Sequence, residues 1–463
     1  MTGKALISIL GATVLTGGCA MNTAYDVTGK RELFVDDFLI EKSSNVAIRQ
    51  HEPVELPGDP GKKLGHYSTI LKNPDGSYFL YYRGLDSVYK GSQYNNNPGE
   101  FFGLVRSADG VKWEKSNWKR FPGKPVPGDA IIYGKEIVTH NFAPFYDTAP
   151  ECKVAERYKA VAGVRETKGL FAYYSADGIN WKPYSDKPVM AYEPEKNGGH
   201  MFDSLNVLFY SPVEKCYVMY IRVWKTADGL TGLRSFAKVT SKDFIHWSEP
   251  EYLKVNRKDE HIYASCLTPY ERAPHYYIGA ATRYFEKRGS ATDIVLLFSR
   301  NGQGIIRPSF EAWIRPGLDP ERWLNRMNYM TWGIIQETPE TLLLYHNRKP
   351  LMYRLRTDGF TSLYAGVEEG TVLSRVLERK NCGNVELNLA TSAGGAFSME
   401  ICDENGKVLP GYSFADMTEF FGDKISFVPE WNGKKLSDLP AGKFRFRIKM
   451  SECDLYSIKF TEE

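Results

Sequence analysis

Five arginines recur at matching places along the chain, and they are the first residues whose chemistry can be inferred. Each follows a short alternating apolar segment typical of a β-strand. They are Arg83, Arg165, Arg222, Arg283 and Arg348, with His66, His140, His261 and His346 as further basic residues. A guanidinium group binds a carboxylate or sulfate through paired hydrogen bonds, so a ring of arginines favours an anionic ligand. Repeated arginines also bridge structural units through carboxylates, and the sequence leaves both interpretations open.

An internal repeat must position these residues. Its motif is Ser-x-Asp-Gly-x-x-Trp, and its copies lie 57 to 68 positions apart. The copies begin at Ser107, Ser175 and Ser241, the last with Phe244 in place of the glycine. Weaker copies lie at Ser299-Arg-Asn301-Gly302 and Thr357-Asp358-Gly359-Phe360. Asp-Gly and Asn-Gly supply the positive φ angles of hairpin turns. The sequence therefore predicts five similar units, each containing a hairpin at this motif.

A second hairpin precedes each motif. In the first unit, residues 67–71 and 78–82 are predicted as strands A and B, and residues 101–106 as strand C. Equivalent A strands begin near His140, Asp203, His261 and Asn328, and the B strands end at the five arginines. Almost no segment has a helical period. Five four-stranded units predict a five-bladed β-propeller over residues 20–365.

The repeat stops after Gly366, where a second domain begins. Residues 385–389, 396–401 and 444–450 alternate like sandwich strands, so residues 366–463 are predicted as a β-sandwich. The fold class is therefore all-β. Cys382, Cys402 and Cys453 share this domain, but their spacing gives no pairing, and buried free thiols are the expectation.

Composition and motifs exclude several functions. The net charge is +3, from 59 Lys and Arg against 56 Asp and Glu, which gives no overall field for nucleic acid. There is no Gly-rich phosphate loop, no Cys-x-x-Cys pair and no persuasive metal-ligand spacing. We predict no cofactor and no metal at the site, while a structural ion in the propeller channel stays open.

The first residues resemble a secretory signal. Lys4 precedes an apolar run that ends in Leu15-Thr-Gly-Gly-Cys19, which resembles a bacterial lipobox. The resemblance implies cleavage before Cys19 and lipidation of its thiol, with residues 1–19 as a signal peptide. The run is shorter than the roughly 18 residues of a membrane span. We expect a cell-envelope protein that contacts membrane only through its lipid.

Four segments carry a wider resemblance: Glu32-Leu-Phe-Val-Asp-Asp37, Glu260-His-Ile-Tyr263, Arg272-Ala-Pro-His275 and Ile314-Arg-Pro-Gly317. With the repeats, they make the chain resemble the five-bladed propeller glycoside hydrolases, the group of arabinanases, xylosidases and invertases. They are most similar to an exported branch of that group. One propeller architecture hosts many functions, so the resemblance says little about substrate.

The resemblance also implies where the site lies. In a propeller, the starts of the A strands and the ends of the B strands share one face, which we call the mouth. Glycoside hydrolysis uses two carboxyl groups, one acid and one nucleophile or base. The resemblance implies a catalytic or charge-stabilising Asp203 and a general-acid Glu260. The first A strand lacks the family's aspartate, so Asp37, in a strand expected to close the ring, is a third candidate, with Asp293 and Glu311 in reserve.

We expect a carbohydrate partner, and the oligomeric state is not predicted. The expected substrate-binding residues are His66, Arg83, His140, Asn141, Arg165, Arg222, His261, Tyr263, Arg283, Asn328 and Arg348. The predicted function is hydrolysis of a poly- or oligosaccharide, with an acidic or sulfated sugar favoured by the arginines. A non-catalytic glycan-binding lipoprotein is one alternative. A polysaccharide lyase using His261, Tyr263 and Arg283 is another.

The anchor gives a first prediction. Replacing Cys19 by Ala removes the thiol that would carry the lipid, so the protein should move from the membrane fraction to the soluble fraction. Fractionation of host cells with immunoblotting measures this change. A native protein that is already fully soluble would contradict the anchor.

Overall fold

The computed structural model describes residues 23–58, 67–92, 94–114 and 116–462. Five separate antiparallel sheets follow one another along the chain and form the predicted five-bladed propeller. From the innermost strand outward, blade 1 consists of Thr69–Lys72, Tyr78–Leu85, Glu100–Ser107 and Ala130–Tyr133. Blade 2 consists of Ala143–Tyr146, Tyr158–Val164, Gly169–Ser175 and Lys182–Pro183, and Met190–Ala191 also pairs with its third strand. Blade 3 consists of Val207–Ser211, Cys216–Lys225, Thr231–Ser241 and Glu251–Tyr252.

Blades 4 and 5 depart from this regular pattern. Blade 4 has an interrupted innermost strand, and blade 5 takes its outermost strand from an earlier part of the chain. The strands of blade 4 are His261–Ala264 with Leu267–Tyr270, then Ala273–Phe285, Ala291–Arg300 and Gln303–Ile306. The strands of blade 5 are Ile335–Gln336, Thr341–Tyr345, Leu351–Arg356 and Val54–Pro57.

The ring is closed in two places. Val54–Pro57 pairs antiparallel with Leu351–Arg356, so a segment that precedes blade 1 completes blade 5. At the channel wall, the amide of Ile70 donates to the carbonyl of Trp332 at 2.8 Å, which joins blade 1 to blade 5. The start and the end of the propeller are therefore tied by backbone hydrogen bonds.

The repeated motif forms a turn whose polar side chains satisfy its own backbone. In blade 1, Asp109 Oδ1 accepts from the amides of Val111 and Lys112 at 2.8 Å, and Ser107 Oγ accepts from the amide of Gly110 at 2.9 Å. Gly110 has φ 73°, which a side chain rarely adopts. The glycine adopts this φ without strain, and in blade 3 Phe244 takes its place with φ 71° while Ser241 and Asp243 make the same hydrogen bonds. The Ser and Asp side chains are therefore the features shared by all three turns.

These turns also dock each blade on its neighbour. The hydroxyl of Tyr345 in blade 5 donates to the carbonyl of Gly110 at 2.7 Å, and that of Tyr81 in blade 1 donates to the carbonyl of Gly178 at 3.0 Å. A Cβ at Gly178 would lie only 2.5 Å from the Tyr81 oxygen. Glycine at this position therefore lets the neighbouring blade approach.

The second domain is a ten-stranded sheet folded around its own apolar core. Its two longest strands bend and pair with each other along most of their length, as in sandwiches whose strands pass between layers. The strands are Tyr25–Asp26, Arg31–Leu33, Ile40–Ser44, Val46–Gln50, Thr361–Ala365, Gly370–Ser374, Leu377–Arg379, Val385–Cys402, Asp423–Phe427 and Gly442–Phe460.

The predicted domain boundaries need correction. Four of these ten strands precede residue 51, and Arg31–Leu33 pairs with residues 457–459 of the last strand. The segment assigned to the propeller from residue 20 therefore belongs to the sandwich up to Gln50. The physical reason is that the closing strand brings the N-terminal segment beside the end of blade 5, where the C-terminal domain begins.

A buried ionic network joins the two domains at Asp358, in the turn of blade 5. Its carboxylate accepts hydrogen bonds from Arg31 at 3.0 Å, Arg272 at 2.9 Å, Tyr270 at 2.7 Å and Ser457 at 2.7 Å. Burial alone would raise the pKa of Asp358, but the two guanidinium groups and the hydrogen bonds hold it below its usual value. Asp358 is therefore ionised at neutral pH.

Helices are few and short. The α-helical segment is Pro194–Asn197, and the 3-10 turns are Val154–Glu156, Arg165–Thr167, Pro320–Trp323, Phe414–Asp416 and Leu436–Asp438. In the described ranges no helix is long and apolar enough to cross a membrane. All six cysteines there are free thiols. The signal segment, with Cys19, and also His66 lie outside the described residues.

Replacing Asp358 by Asn should strongly destabilise the junction. Arg31 and Arg272 would lose their buried counter-charge, and breaking a buried ion pair costs about 3 to 5 kcal/mol. Because the folded pKa is lowered, this stabilisation is present above the unfolded value of about 3.9 and is lost as the pH falls below it.

Urea unfolding at pH 7 and at low pH measures both effects. Asp423→Asn is the control, since Asp423 pairs with Arg356 but is 65% exposed and should cost less than about 1 kcal/mol. Equal losses in the two variants would show that the Asp358 network does not stabilise the junction.

Candidate functional site

The mouth is shaped by three innermost strands that start from strained residues. Tyr67, Asn141 and Phe202 precede the innermost strands of blades 1, 2 and 3 with φ of 58°, 58° and 65°. This left-handed conformation is rare for bulky residues and persists only where neighbours enforce it. The Phe202 backbone amide donates to the Arg222 carbonyl at 3.0 Å, and the Phe202 carbonyl accepts from the side-chain Nδ2 of Asn141 at 3.0 Å. These bonds fix the turn that presents Asp203.

Asp203 lies half-buried at this turn. Among the described residues, nothing hydrogen-bonds its carboxylate and no cation lies within 4.0 Å of it. Its charge acts at longer range on Tyr67, Arg165 and His200. The structure therefore puts Asp203 at the mouth as an available carboxylate, in the place where the sequence predicts one.

Three tyrosines from different blades form a cluster beside Asp203. Tyr67 and Tyr329 meet edge to face with ring centroids 6.1 Å apart, and Tyr263 meets Tyr329 at 5.4 Å. Burial, the neighbouring tyrosines and Asp203 raise the pKa of Tyr67 well above its usual value. Burial and Tyr263 do the same to Tyr329. Both phenols stay protonated at neutral pH and can act as hydrogen-bond donors.

Arg222 reaches this cluster from the B strand of blade 3. The side chain is buried, with the residue 2% exposed, and its Nη2 donates to the Tyr263 carbonyl. Its guanidinium carbon lies 4.3 Å from the centroid of the Tyr263 ring. The Nε and Nη1 atoms have no hydrogen-bond partner among the described residues. Arg222 is thus a buried cation with unused donors.

The other four repeated arginines do not form an equivalent ring. Arg283 makes a two-pronged ion pair with Asp293 at 2.7 Å, within its own blade. Arg165 pairs with Glu166 at 2.8 Å. Arg83 lies 3.1 Å from His140 Nδ1. For Arg283 the structural interpretation is therefore the right one.

Arg348 is held in a basic environment. Burial, with smaller contributions from Arg326 and Arg83, lowers its pKa. The five matching sequence positions consequently have at least three different environments, and only the folded arrangement separates them.

The predicted histidines and asparagines are mostly structural. His140 pairs with Glu100 at 2.9 Å. Burial and Arg234 lower the pKa of His261 to about 4, so it is neutral at pH 7. Asn328 is buried and fully used, with its amide donating at 2.7 Å to the carbonyls of Thr292 and Arg322. The expected substrate-binding role of Asn328 is wrong, because its hydrogen-bonding groups hold the loop that enters blade 5.

Glu260 lies at the mouth but is held by arginines. Its carboxylate contacts Arg307 at 2.6 Å and Arg283 at 3.5 Å, and it accepts from the Arg257 backbone amide at 2.9 Å. Burial opposes ionisation, but the bonds from Arg307 hold the pKa of Glu260 below its usual value. A general acid must be protonated at working pH, so the role predicted for Glu260 requires these contacts to change when substrate binds. The role of Glu260 as the acid stays a prediction.

Asp37 is wrong as a candidate. It is exposed in a turn after Arg31–Leu33, a strand of the sandwich, whereas the closing strand is Val54–Pro57. Its neighbour Asp36 binds Arg300, which ends the third strand of blade 4 at the face opposite the mouth. The reserve Asp293 is occupied by Arg283. Glu311 is 80% exposed and lies 3.9 Å from Arg315.

Sequence reasoning missed several mouth residues. Arg234 lies 4.5 Å from the ring centroids of both Trp224 and Tyr284, and the His200 ring lies 4.5 Å from that of Trp224, tilted by 49°. The tyrosine cluster was missed except for Tyr263. The signal that would have found it is an aromatic residue near the start of innermost strands in blades 1, 4 and 5.

Within the described residues, no group of three His, Cys, Asp or Glu is arranged to hold a metal. Comparison with family models and with curated proteins finds no match. Among solved structures, a protein described as a glycoside hydrolase aligns with a TM-score of 0.44 and 9% identity, over 68% of this chain and 91% of its own.

Two further solved structures align comparably. A glycoside hydrolase family 43 arabinoxylan arabinofuranohydrolase from Bacillus subtilis gives a TM-score of 0.41 and 11% identity, over 86% of this chain and 96% of its own. A β-1,2-mannobiose phosphorylase from Listeria innocua gives a TM-score of 0.43 and 12% identity, over 67% of this chain and 96% of its own. Such distant likeness carries no functional argument, and the five-bladed fold rests on the sheet topology itself.

The Glu260 environment gives a stability prediction. Glu260→Gln should lower the free energy of unfolding by about 3 kcal/mol, because Arg307 would keep a buried charge without a carboxylate partner, while Arg283 would still pair with Asp293. Chemical denaturation measures this loss. Glu286→Gln, on the same blade and 59% exposed, is the control and should cost less than about 1 kcal/mol. Unchanged stability with a hundredfold loss of activity would support Glu260 as the acid.

Proposed function

We propose that the protein is a glycoside hydrolase that acts at the propeller mouth, with Asp203 as one of its catalytic carboxyl groups. The supporting observation is that Asp203 is available at the mouth, while Glu260, Glu166 and Asp293 are each bound by arginines. A carboxylate without a protein counter-ion can stabilise the positive charge that develops on a sugar ring during glycosidic cleavage, or activate a water.

The tyrosine cluster suits a sugar ligand. Tyr67 and Tyr329 remain protonated, so their hydroxyl groups can donate hydrogen bonds to a sugar. No step is assigned to a metal or cofactor. We also propose, from the lipobox-like start, that the site faces its glycan from the surface of a membrane to which the chain is lipid-anchored.

A polysaccharide lyase is the second candidate, and Arg222 is the observation that favours it. In elimination beside a uronate, a cation neutralises the sugar carboxylate and a base removes the neighbouring proton. The C–O bond then breaks, a C=C bond forms and the leaving oxygen gains a proton. Arg222 has the unused donors for the first role, and Asp203 has the free carboxylate for the second.

Asp203→Asn should reduce turnover at least about a hundredfold with little change in stability, since acid–base groups contribute about 10² to 10⁴-fold and this carboxylate has no described structural partner. Asp37→Asn is the matched control, because Asp37 is exposed and lies away from the mouth. Turnover and melting temperature are measured for both. Unchanged turnover in Asp203→Asn would refute the assignment.

The products separate the candidate functions. A hydrolase leaves a new reducing end without ultraviolet absorbance, whereas a lyase leaves an unsaturated end that absorbs. A binding protein leaves the glycan intact. Binding without either product would refute the proposal of an enzyme.

A further inference from the structure

Among the described residues, Arg222 and Arg379 are both 2% exposed and have no carboxylate partner. Arg379 donates to the backbone carbonyls of Gly383, Leu439 and Pro440, whereas Arg222 leaves its Nε and Nη1 without a hydrogen-bond partner. Arg307, Arg322 and Arg31 are similarly buried, and each contacts a carboxylate within 3.0 Å. For Arg222, no carboxylate of the described residues lies within 4.0 Å. A buried charge without a partner is costly, and proteins normally pair it or coordinate it.

The surroundings do not compensate for this charge. Arg234 is half-buried and lies 3.9 Å from Glu286. Burial lowers the pKa of Arg234 most, and the charge of Arg222 is the next largest cause, so the two cations lie close together. Tyr263 offers its ring face and carbonyl, which stabilise a cation only in part. Asp203 acts on the same tyrosine cluster but does not contact Arg222.

The other nearby acids are already used. Glu260 is bound by Arg307 and Arg283, and Glu100 is bound by His140. Turning either carboxylate toward Arg222 would leave its present cation or histidine without that partner. Asp203 is the carboxylate near the cluster that binds no cation, and it does not contact Arg222.

The Nε and Nη1 of Arg222 are closed to solvent in the structure, with the Tyr263 ring packed on the guanidinium. We propose that Arg222 is the anion-binding subsite of the mouth, and that a movement of the Tyr263 ring admits the carboxylate or sulfate group of an acidic sugar to these two donors. The assignment rests on the proposed carbohydrate function and narrows its substrate to anionic glycans. Charged hydrogen bonds to such a group satisfy both unused donors, and their strength is greatest in a site from which water is excluded.

Replacing Arg222 by an apolar residue should weaken anion binding without lowering the stability of the fold. In Arg222→Met an uncompensated buried charge is replaced by an apolar chain of similar length, a change that is often neutral or stabilising. The Tyr263 carbonyl would keep a donor, because Ser204 Oγ also donates to it at 2.8 Å. The melting temperature of the variant should therefore equal or exceed that of the native protein.

Calorimetric titration of the full chain tests the subsite. The probes are matched pairs: oligogalacturonate with its methyl ester, oligoglucuronate with its methyl ester, and sulfated galactan oligosaccharides with their desulfated forms. The native protein should bind at least one anionic member ten or more times more tightly than its neutral partner. Added salt should weaken this preference, which electrostatic screening reduces.

Arg222→Met should abolish the preference. Arg354→Met is the control, because it removes the same charge from the face opposite the mouth, where Arg354 is 43% exposed and pairs with Glu337. This variant should retain the preference for anionic glycans. Preference for uronates alone identifies a carboxylate ligand, and preference for sulfated members alone identifies a sulfate. If Arg222→Met does not fold, Arg222→Lys, which keeps the charge but loses the planar donors, should weaken the preference at least threefold.

Equal affinity for both members of every pair would overturn the subsite, even if the protein cleaves glycans. An undiminished preference in the Arg222 variants would overturn it as well. Anionic preference without any cleavage would leave the subsite standing and refute the hydrolase. Failure of the native protein to bind any probe would overturn both.

Discussion

Closure of the blade ring is the constraint on which the rest of the structure depends. Val54–Pro57 completes blade 5, and the Ile70–Trp332 hydrogen bond joins the innermost strands of blades 1 and 5. Once the ring is closed, innermost strands from all five blades must converge on one channel, which brings Asp203 and the tyrosine cluster together. The same closure places residues 23–50 beside the C-terminal domain, so both ends of the described chain build one sheet.

Buried charge is used in two different ways in this protein. Asp358 and Glu260 are each surrounded by guanidinium groups and hydrogen-bond donors, and they fix the domain junction and the rim of blade 4. Arg222 is equally buried but has no such partner. Stability alone does not account for an unpaired cation, since an apolar residue of similar size would fill the same space at lower cost.

Sequence resemblance locates acidic residues better than it assigns their roles. Asp203 and Glu260 both lie near the predicted strand starts, yet one is free and the other is held by Arg307, a residue distant in sequence that no motif indicated. The prediction for Asp37 was wrong for a different reason. Asp37 follows Arg31–Leu33, which pairs within the sandwich, whereas the strand that closes the ring is Val54–Pro57, about twenty positions later. Strand alternation gives a residue's face within a sheet but not the sheet to which the strand belongs.

The sequence by itself determined the all-β class, the five units and their turns, because Asp-Gly turns and alternating apolar positions act over a few residues. The family resemblance added the mouth position of Asp203. Only the tertiary structure decided which of five equivalent arginines are neutralised, because ion pairing depends on side chains from other strands and blades. The division of the N-terminal segment between sandwich and propeller was likewise set by long-range pairing, for which local pattern carries no signal.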